Sequence, residues 1–273
     1  MKKSIVSIII PTRNEEHNLA RLIKSIKTQK VPYEIIVVDQ ESSDDTIRIA
    51  IKNGAKVIPT IKTAFYSPPS QSRNIGAKYA KGKYLLHLDS DMILQEGLLD
   101  DCVKRLENSS VVAVIIPEKD IATNFWAKCK KFERQLYYNT IIESARFIRK
   151  DIFNKIRGYN ERISSGEDFD IQSRLSGLGL VIRANKNIYH NLGSISLVWY
   201  LKKKYNYGKT IKNFFTNSPS SINMKTYITI YLSQSYKFLR SPFFSFGFII
   251  MRFLELISLC LGRIGEKIEK GKL

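Results

Sequence analysis

Short apolar runs alternate with amphipathic segments along the first half of the chain. The apolar runs are rich in β-branched residues, which is typical of buried strands. The segments between them carry apolar side chains at helical spacing, as Leu19, Leu22, Ile23 and Ile26 do. This pattern predicts strands at residues 4–10, 34–38, 56–58, 84–88 and 111–116, and helices at residues 15–29, 44–53, 70–80 and 94–106. Strands that alternate with helices predict an α/β fold with a mostly parallel central sheet and flanking helices.

The pattern changes after Pro117. We predict a helix rich in aromatic residues at 124–139, a turn-rich basic stretch at 146–159, a helix at 167–178, a last strand at 181–183, a break at 218–221 and a helix at 227–239. The segment from residue 199 onwards is basic and apolar. We therefore divide the chain into an α/β domain at residues 1–198 and a helical C-terminal tail at residues 199–273.

Residues 242–262 of the tail are apolar enough, and long enough, to cross a bilayer. They contain Arg252 and Glu255, however, and a charge at the centre of a spanning helix costs about 2.5–3.5 kcal/mol. Because Ser245, Arg252, Glu255 and Ser258 fall near one side of a helix, we expect an amphipathic segment that lies at the membrane surface, with Arg263, Lys267, Lys270 and Lys272 facing lipid headgroups. A helix packed in a core, or an oligomer contact, is the alternative.

The charge balance indicates an anionic partner. The 273 residues include 44 Lys and Arg against 25 Asp and Glu, for a net charge of +19, which fits a nucleic acid, an acidic membrane face or a phosphorylated substrate. The three cysteines form no C-x-x-C pair, so a thiolate zinc site is not expected and a reducing compartment is. The first apolar run ends too early for a secretion signal, and we expect none.

Polar residues follow the predicted strands, where ligands bind in parallel α/β sheets. Asp89 and Asp91 lie on one turn after a buried strand and can both reach a divalent cation that also takes phosphate oxygens; a solvated acidic turn is the alternative. Asp39 ends the second strand and can accept hydrogen bonds from a base or ribose, or can cap the following helix. At the end of the first strand, Arg13 can meet a phosphate, whereas Glu15 can serve in helix capping.

Three further positions are candidates. Arg73 opens the helix at 70–80, where free backbone N–H groups favour anions. Glu167 and Asp168 open another helix; they can complement its dipole or supply a general base. His190, after the last predicted strand, can bind a metal or touch a phosphate, or is structural. The sequence lacks G-x-G-x-x-G, G-x-x-x-x-G-K-[ST], H-E-x-x-H and G-x-S-x-G elements, which disfavours Rossmann dehydrogenases, P-loop NTPases, zincins and α/β-hydrolases.

Five blocks in this order resemble the family-two inverting glycosyltransferases, which have a GT-A fold. They are Ser-Ile-Ile-Ile-Pro-Thr-Arg-Asn-Glu-Glu at 7–16, Glu-Ile-Ile-Val-Val-Asp-Gln-Glu-Ser-Ser-Asp-Asp-Thr at 34–46, Ser-Arg-Asn-Ile-Gly-Ala-Lys-Tyr-Ala-Lys-Gly-Lys-Tyr at 72–84, Leu-Asp-Ser-Asp at 88–91 and Gly-Glu-Asp-Phe-Asp at 166–170. Residues 146–153, with Gly158-Tyr-Asn-Glu, also resemble the family's stretch before the acceptor site. The resemblance covers residues 4–195, and five ordered blocks are far more specific than any one alone.

The resemblance implies a GT-A type nucleotide-diphospho-sugar transferase fold and a role for each matching residue. The nucleotide pocket would be lined by Pro11, Thr12, Arg13 and Glu15, with Asp39 on the base or ribose, Arg73 near the nucleotide or sugar, and Asp89 and Ser90 on the ribose or sugar. Mg²⁺ or Mn²⁺ bridging the diphosphate would be held by Asp91, with Asp89 and His190 as further candidate ligands. The catalytic base would be Asp168, with Glu167 beside it.

One departure concerns the turn after the second strand, where many relatives read Asp-Asp-Gly-Ser and this chain has Asp39-Gln-Glu-Ser. The departure bears on the base preference, and loss of the glycine is expected to stiffen the turn.

We therefore expect an inverting glycosyltransferase that moves a sugar from a UDP- or GDP-linked donor to a hydroxyl or lipid-phosphate acceptor. The basic, apolar tail indicates work at the cytoplasmic face of a membrane, peripherally or monotopically, on a glycan or polyprenyl-linked acceptor. A polyprenyl-phosphate sugar synthase is one alternative, and a membrane-bound scaffold without catalysis is another. A nucleic-acid-binding protein is the rival from another class, but its acidic turns would repel phosphates, and we expect no nucleic-acid partner.

Overall fold

The structure is a computed structural model that describes residues 5–61, 69–140, 142–161, 166–217 and 224–270. The chain forms two compact units. Unit 1 comprises residues 1–119 and 143–191, and unit 2 comprises residues 120–142 and 192–273. The predicted boundary after residue 198 thus lies inside unit 2, which also takes residues 120–142 from the middle of the chain. The predicted break at 218–221 lies outside the described residues.

The described strands form two sheets. In chain order they are β1 (Val6–Thr12), β2 (Tyr33–Asp39), β3 (Lys56–Pro59), β4 (Tyr84–His87), β5 (Met92–Leu94), β6 (Val111–Ile115), β7 (Glu118–Ala122), β8 (Ala145–Arg149), β9 (Leu180–Arg183) and β10 (Ile188–Gly193). Seven make the central sheet of unit 1, in the order β3-β2-β1-β4-β8-β6-β9, and β5-β10-β7 make a smaller sheet. Within the central sheet only β8 runs antiparallel to its neighbours, β4 and β6. The mostly parallel α/β fold is therefore confirmed.

The helices complete both units. In chain order they are α1 (Glu16–Ile26), α2 (Thr46–Lys52), α3 (Pro69–Tyr79), α4 (Leu98–Glu107), α5 (Phe125–Tyr137), α6 (Lys150–Lys155), α7 (Glu167–Ser176), α8 (Leu197–Asn217), α9 (Met224–Ser233), α10 (Ser235–Arg240) and α11 (Pro242–Lys270). Unit 1 holds α1–α4, α6 and α7, and unit 2 holds α5 and α8–α11.

Apolar side chains of the central sheet alternate between two cores, as expected for a sheet covered on both faces. Ile8 and Ile10 of β1 belong to one cluster, together with residues of α1 and α4, whereas Ile9 belongs to the other, with residues of α3 and α7. A Cβ added to Gly76 of α3 would lie 2.5 Å from Cγ2 of Ile9. This glycine therefore lets α3 pack tightly on β1, and the helix start that carries Arg73 is held against the sheet.

The sequence prediction differs from the structure in several places, among them the single helix predicted at 227–239, which is divided into α9 and α10. The stretch predicted to be turn-rich contains β8 and α6. The helix predicted from residue 94 begins at Leu98, because Leu94 belongs to β5 and Gly97 adopts φ 77° before the helix. The strands β7 and β10 were not predicted, because Glu118–Ala122 and Ile188–Gly193 are too polar to stand out as apolar runs.

Unit 2 is a helical assembly with charged residues in its interior. Glu133 of α5 and Glu255 of α11 are 3% and 6% exposed. The Arg252 guanidinium contacts both carboxylates, at 3.2 Å from Glu133 Oε1 and also through Nη2 to Glu255. Its Nη2 also donates to the Tyr200 hydroxyl at 2.6 Å, and Lys130 Nζ lies 2.7 Å from Glu133 Oε2. We call Lys130, Glu133, Tyr200, Arg252 and Glu255 the inner polar cluster; it joins α5, α8 and α11.

The long helix α11 turns its polar side toward this cluster. Ser245 and Glu255 are buried, whereas Phe243, Phe246 and Phe253 are 64–69% exposed. Among the described residues one segment, Pro242–Glu266, is long and apolar enough to cross a membrane by length and composition. The sequence grouped Ser245, Arg252 and Glu255 on one side of the helix, and the structure shows that this side faces other helices of unit 2.

Candidate active site

The loops after β1 and β2 form one hydrogen-bonded unit. Asp39 is 1% exposed, and its carboxylate accepts hydrogen bonds from the Thr12 hydroxyl at 3.0 Å and from the Ser42 backbone N–H at 2.9 Å. Asn14 reinforces the link, because its N–H donates to Ser42 Oγ and its side chain accepts from the Ser43 N–H. Asp39 therefore fixes the turn that follows it. The resemblance implies a second role for Asp39, contact with the base or ribose of the nucleotide.

The missing glycine of this turn has a structural consequence. Glu41 stands where many relatives have glycine, and its φ is 55°. This left-handed conformation is unfavourable for a residue with a Cβ atom. The chain thus keeps the backbone geometry of a glycine turn with a glutamate in it.

Arg73, near the start of α3, connects the acidic residues of two distant segments. The residue is 2% exposed. Its guanidinium donates to Asp89 Oδ1 at 2.8 Å and to Asp168 Oδ1 at 3.2 Å, and it lies 3.5 Å from Glu167 Oε1. The guanidinium also lies 5.2 Å from the ring centroid of Tyr159. The buried Arg73 guanidinium, with three carboxylates around it, thus brings the Asp89 turn and the start of α7 together.

A second buried arginine continues this network. Arg146 of β8 lies 3.4 Å from Asp89 Oδ2 and donates to Glu118 Oε1 at 2.7 Å. Burial alone would raise the pKa of Asp89, but the charges of Arg73 and Arg146 outweigh it and lower this pKa to about 2. Asp89 is therefore a carboxylate with a guanidinium on each oxygen, and this pairing competes with its predicted role as a metal ligand.

His190 connects Glu118 with the second aspartate of the turn. Its Nε2 lies 3.0 Å from Asp91 Oδ2, and its Nδ1 lies 3.4 Å from Glu118 Oε2. A carboxylate on one ring nitrogen of a histidine orients the other nitrogen toward a ligand. Glu118 thus holds His190 so that its Nε2 faces Asp91.

Asp91 and His190 fit a divalent cation. Asp91 Oδ1 is buried and has no hydrogen-bond partner among the residues that the structure describes. Within the same residues, no group of three or more His, Cys, Asp and Glu side chains has the arrangement of a complete metal cage. Mg²⁺ is commonly bound by one or two carboxylates together with substrate phosphates and water. The donor set therefore suits a cation that arrives with a diphosphate.

Glu167 and Asp168 differ in environment although they are neighbours. Burial, and then the charge of Asp168, raise the pKa of Glu167 to about 7. Asp168 is the more open of the two, with 35% of its side chain exposed against 13% for Glu167. The more exposed carboxylate is the better placed to meet an incoming acceptor.

The remaining predicted residues lie around the same sheet edge. Pro11 and Thr12 end β1 beside β2, and Arg13 is exposed on the loop that follows. The pKa of Glu15 is raised, chiefly by burial and further by the nearby charge of Asp91, so Glu15 lies close to the acidic turn. Ser90 is 7% exposed within that turn. The segments carrying Asp39, Asp91 and Asp168 thus converge at the carboxyl ends of β1, β2 and β4.

Sequence reasoning missed Arg146 and Glu118 as residues of this site. Arg146 lies in the stretch predicted to be turn-rich, and Glu118 lies in a strand that was not predicted. A signal was present for Arg146, since it alternates with the apolar Ala145 and Phe147 as strand residues do. Glu118 has no such signal, because its role depends on contacts with residues 28 and 72 positions away.

Comparison with known proteins identifies the family of the chain. Glycosyl transferase family 2 matches residues 7–163. The poly(ribitol-phosphate) beta-N-acetylglucosaminyltransferase TarS of Staphylococcus aureus is 29% identical over 121 residues, which are 42% of this chain and 21% of that protein. The chain thus aligns with only about a fifth of the length of this relative.

Solved structures share the fold. The crystal structure of S. aureus TarS residues 1–349 in complex with UDP-GlcNAc has a TM-score of 0.56 and 19% identity, covering 86% of this chain and 73% of that one. The mannosyltransferase PcManGT from Pyrobaculum calidifontis, in complex with GDP-Man and Mn²⁺, has a TM-score of 0.58 and 15% identity, covering 98% and 81%. The family match includes the loops after β1, β2 and β4 that build the acidic edge, and the chain belongs to glycosyl transferase family 2.

Proposed function

We propose that this glycosyltransferase moves a sugar from a UDP- or GDP-linked donor to an acceptor, with inversion at the anomeric carbon. The observation that carries the proposal is the convergence of Asp91 with His190, and of Asp168 with Arg73 and Asp89, on one sheet edge. The solved relatives bind UDP-GlcNAc and GDP-Man, which supports a nucleoside-diphosphate sugar as the donor. Both UDP- and GDP-linked donors therefore stay in the proposal.

The donor's diphosphate would lie at Asp91 and His190. We assign Asp91 Oδ1 and His190 Nε2 as the protein ligands of Mg²⁺ or Mn²⁺. When bound, this ion stabilises the charge that develops on the leaving diphosphate. Asp89, fixed by Arg73 and Arg146, would contact the ribose or the sugar, and Thr12 and Asp39 would line the side of the base.

Asp168 would act as the base. It accepts the proton of the acceptor hydroxyl while that oxygen forms a bond to the anomeric carbon and the bond from this carbon to the diphosphate oxygen breaks. Attack from the face opposite the diphosphate inverts the configuration. Arg73 holds Asp168 in place through the hydrogen bond from its guanidinium. A lipid-phosphate acceptor is already anionic, and Asp168 would then orient it.

A thermal-shift panel tests the donor. We expect one of UDP and GDP, and one of their sugar derivatives, to stabilise the protein in the presence of Mn²⁺ and much less without it, because stabilisation grows with ligand affinity. Asp91→Asn should abolish the effect, and Asp151→Asn on the exposed surface of α6 should preserve it. The proposal fails if no nucleotide diphosphate shifts the melting temperature.

Replacement of the base separates the two acceptor classes. With a hydroxyl acceptor, Asp168→Asn should lower kcat by about 10²–10⁴-fold and leave donor binding nearly unchanged. With a lipid-phosphate acceptor the loss in kcat should be far smaller. A loss of donor binding equal to the loss of kcat would contradict the role of Asp168 as a base.

We also propose that the enzyme works at a membrane, through unit 2. The exposed apolar side chains of α11 and the basic composition of residues 199–273 support this location. The cytoplasmic face is favoured because its anionic lipids attract basic segments. The acceptor would accordingly be a membrane-borne or polyprenyl-linked glycan.

A further inference from the structure

Helix α11 exposes a continuous apolar stripe. Its members lie on one side of the helix, and each is more than half exposed: Phe243, Phe246, Ile249, Phe253, Leu256 and Ile264. Exposed Cys260 lies on the same side by its spacing. Large exposed apolar patches mark surfaces that meet a membrane or another protein.

The opposite side of α11 packs inside unit 2 and combines the charged Arg252 and Glu255 with the apolar Phe248 and Met251. A surface helix of a soluble protein buries its apolar side and exposes its charges. Here Arg252 and Glu255 point into the inner polar cluster, where Glu133, Lys130, Lys204 and Tyr200 surround them. The central charges of α11 are therefore paired inside unit 2 while large apolar side chains stay outside, as in a helix that contacts lipid.

The packing of α11 indicates how the helix meets the lipid. One glycine of each helix brings α11 against α8, since a Cβ on Gly262 of α11 would lie 2.0 Å from the Tyr205 carbonyl oxygen and one on Gly208 of α8 would lie 2.2 Å from that of Leu259. If α11 crossed the bilayer, α8 would enter the hydrocarbon with it, together with exposed Lys202 and Lys203. Burial of these charges in hydrocarbon is unfavourable. An orientation along the surface avoids it.

We propose that α11 lies parallel to an anionic lipid bilayer, with its apolar stripe embedded at the interface and the inner polar cluster facing away from the lipid. The charge of the chain selects this occupant over a second copy of the protein. Residues 199–273 carry 13 basic and 3 acidic residues, exposed Arg240 lies just before α11, and exposed Arg263 lies in its last third. Anionic headgroups complement these charges, whereas two copies would repel each other.

The proposal deepens the membrane association proposed above and does not depend on the transferase chemistry. Depth measurements on vesicles of phosphatidylglycerol and phosphatidylcholine test it. Cys102 and Cys129 are buried, so a spin label on the native protein reports Cys260. A second label, on Phe246→Cys in a Cys260→Ser background, lies about 21 Å away along the helix axis.

We expect both labels to be inaccessible to an aqueous quencher and to lie at about the same depth. A difference in depth approaching the axial separation of about 21 Å would show a spanning helix and overturn the proposal. A label on exposed Ile51→Cys in unit 1, again with Cys260→Ser, should stay accessible to the aqueous quencher.

Vesicle flotation provides a second readout. Phe246→Ser with Phe253→Ser should weaken binding to anionic vesicles by about tenfold or more, because two large apolar side chains leave the lipid. The matched control Ile51→Ser should float like the native protein. Unchanged flotation of the double variant, or its conversion of a native dimer into a monomer without any change in vesicle binding, would refute the proposal. Nucleotide binding to the same variants reports separately on the proposed function of unit 1.

Discussion

At the scale of single residues, Glu167 links the site to pH. Burial and Asp168 raise its pKa from the ordinary value of 4.5 to about 7. The folded state therefore binds this proton more tightly than the unfolded state does. The stabilising contribution is complete below about pH 4.5 and is lost as the pH rises through 7.

Glu167→Gln should remove this dependence. Because the variant never carries the buried charge, we expect its free energy of unfolding to exceed that of the native protein at pH 8, by on the order of 2 kcal/mol, and by much less at pH 5. Urea unfolding at both pH values measures this. The exposed control Glu107→Gln should show little change at either pH, and an equal effect of Glu167→Gln at both would contradict the raised pKa of Glu167.

Glu41 allows a test of the turn after β2. Its φ of 55° strains any residue with a Cβ atom, so Glu41→Gly should be more stable than Glu41→Ala by about 1 kcal/mol. Both variants lose the same carboxylate, which makes the comparison matched. Chemical denaturation of the two proteins gives the difference, and equal stabilities would argue against a left-handed conformation at this position.

Glu118 is expected to act on the metal through His190. Its carboxylate faces Nδ1 of the ring whose Nε2 faces Asp91. Loss of such a partner commonly weakens metal binding by about 10–100-fold. We expect this loss for Mn²⁺ with Glu118→Gln, measured by electron paramagnetic resonance of free Mn²⁺ in the presence of the nucleotide. Glu107→Gln should bind as the native protein does, and unchanged affinity of the Glu118 variant would exclude the positioning role.

The sequence alone places the candidate residues at the ends of β1, β2 and β4, because parallel strands bring their carboxyl ends together and the turns after apolar runs are recognisable in the sequence. It could not identify Arg146 or Glu118. A buried arginine is stabilised only by the carboxylates around it, and these come from β4 and β7 in the fold. Pairings between segments that far apart leave no local pattern.

At the scale of elements, the spacing of apolar residues and the length of each apolar run predicted the strongly apolar strands. The same criteria failed for the polar strands. The strands β1, β2 and β4 are buried on both faces and therefore form apolar runs. In contrast, β10 reads Ile-Tyr-His-Asn-Leu-Gly and lies in a small sheet in which one side of the strand carries the site histidine. The polar residues of β10 made it resemble a loop in the sequence.

The contact between α8 and α11 depends on glycine. A side chain at Gly208 would collide with the backbone of Leu259, so Gly208→Ala should destabilise unit 2 by about 2–3 kcal/mol. At Gly177 the nearest atom to an added Cβ is 3.6 Å away, and Gly177→Ala should be tolerated. Thermal unfolding and limited proteolysis of both variants measure the difference, and similar behaviour of the two would show that α8 and α11 do not pack this closely.

At the scale of the whole molecule, charge is unevenly distributed. The chain carries +19, yet Asp39, Asp89, Asp91, Glu167 and Asp168 gather at one sheet edge of unit 1. Buried arginines stabilise part of this negative charge, and a divalent cation with a diphosphate would balance the rest. The basic surplus of residues 199–273 belongs to unit 2, where we propose contact with anionic lipid.

The most direct test of the central claim measures release of the nucleoside diphosphate from UDP- and GDP-sugars with and without Mn²⁺. We expect the native protein and Asp151→Asn to release it from one donor class in a Mn²⁺-dependent reaction. Asp91→Asn should be inactive while remaining folded. Equal activity of Asp91→Asn and Asp151→Asn would contradict the claim that the acidic edge of unit 1 is the site of sugar transfer.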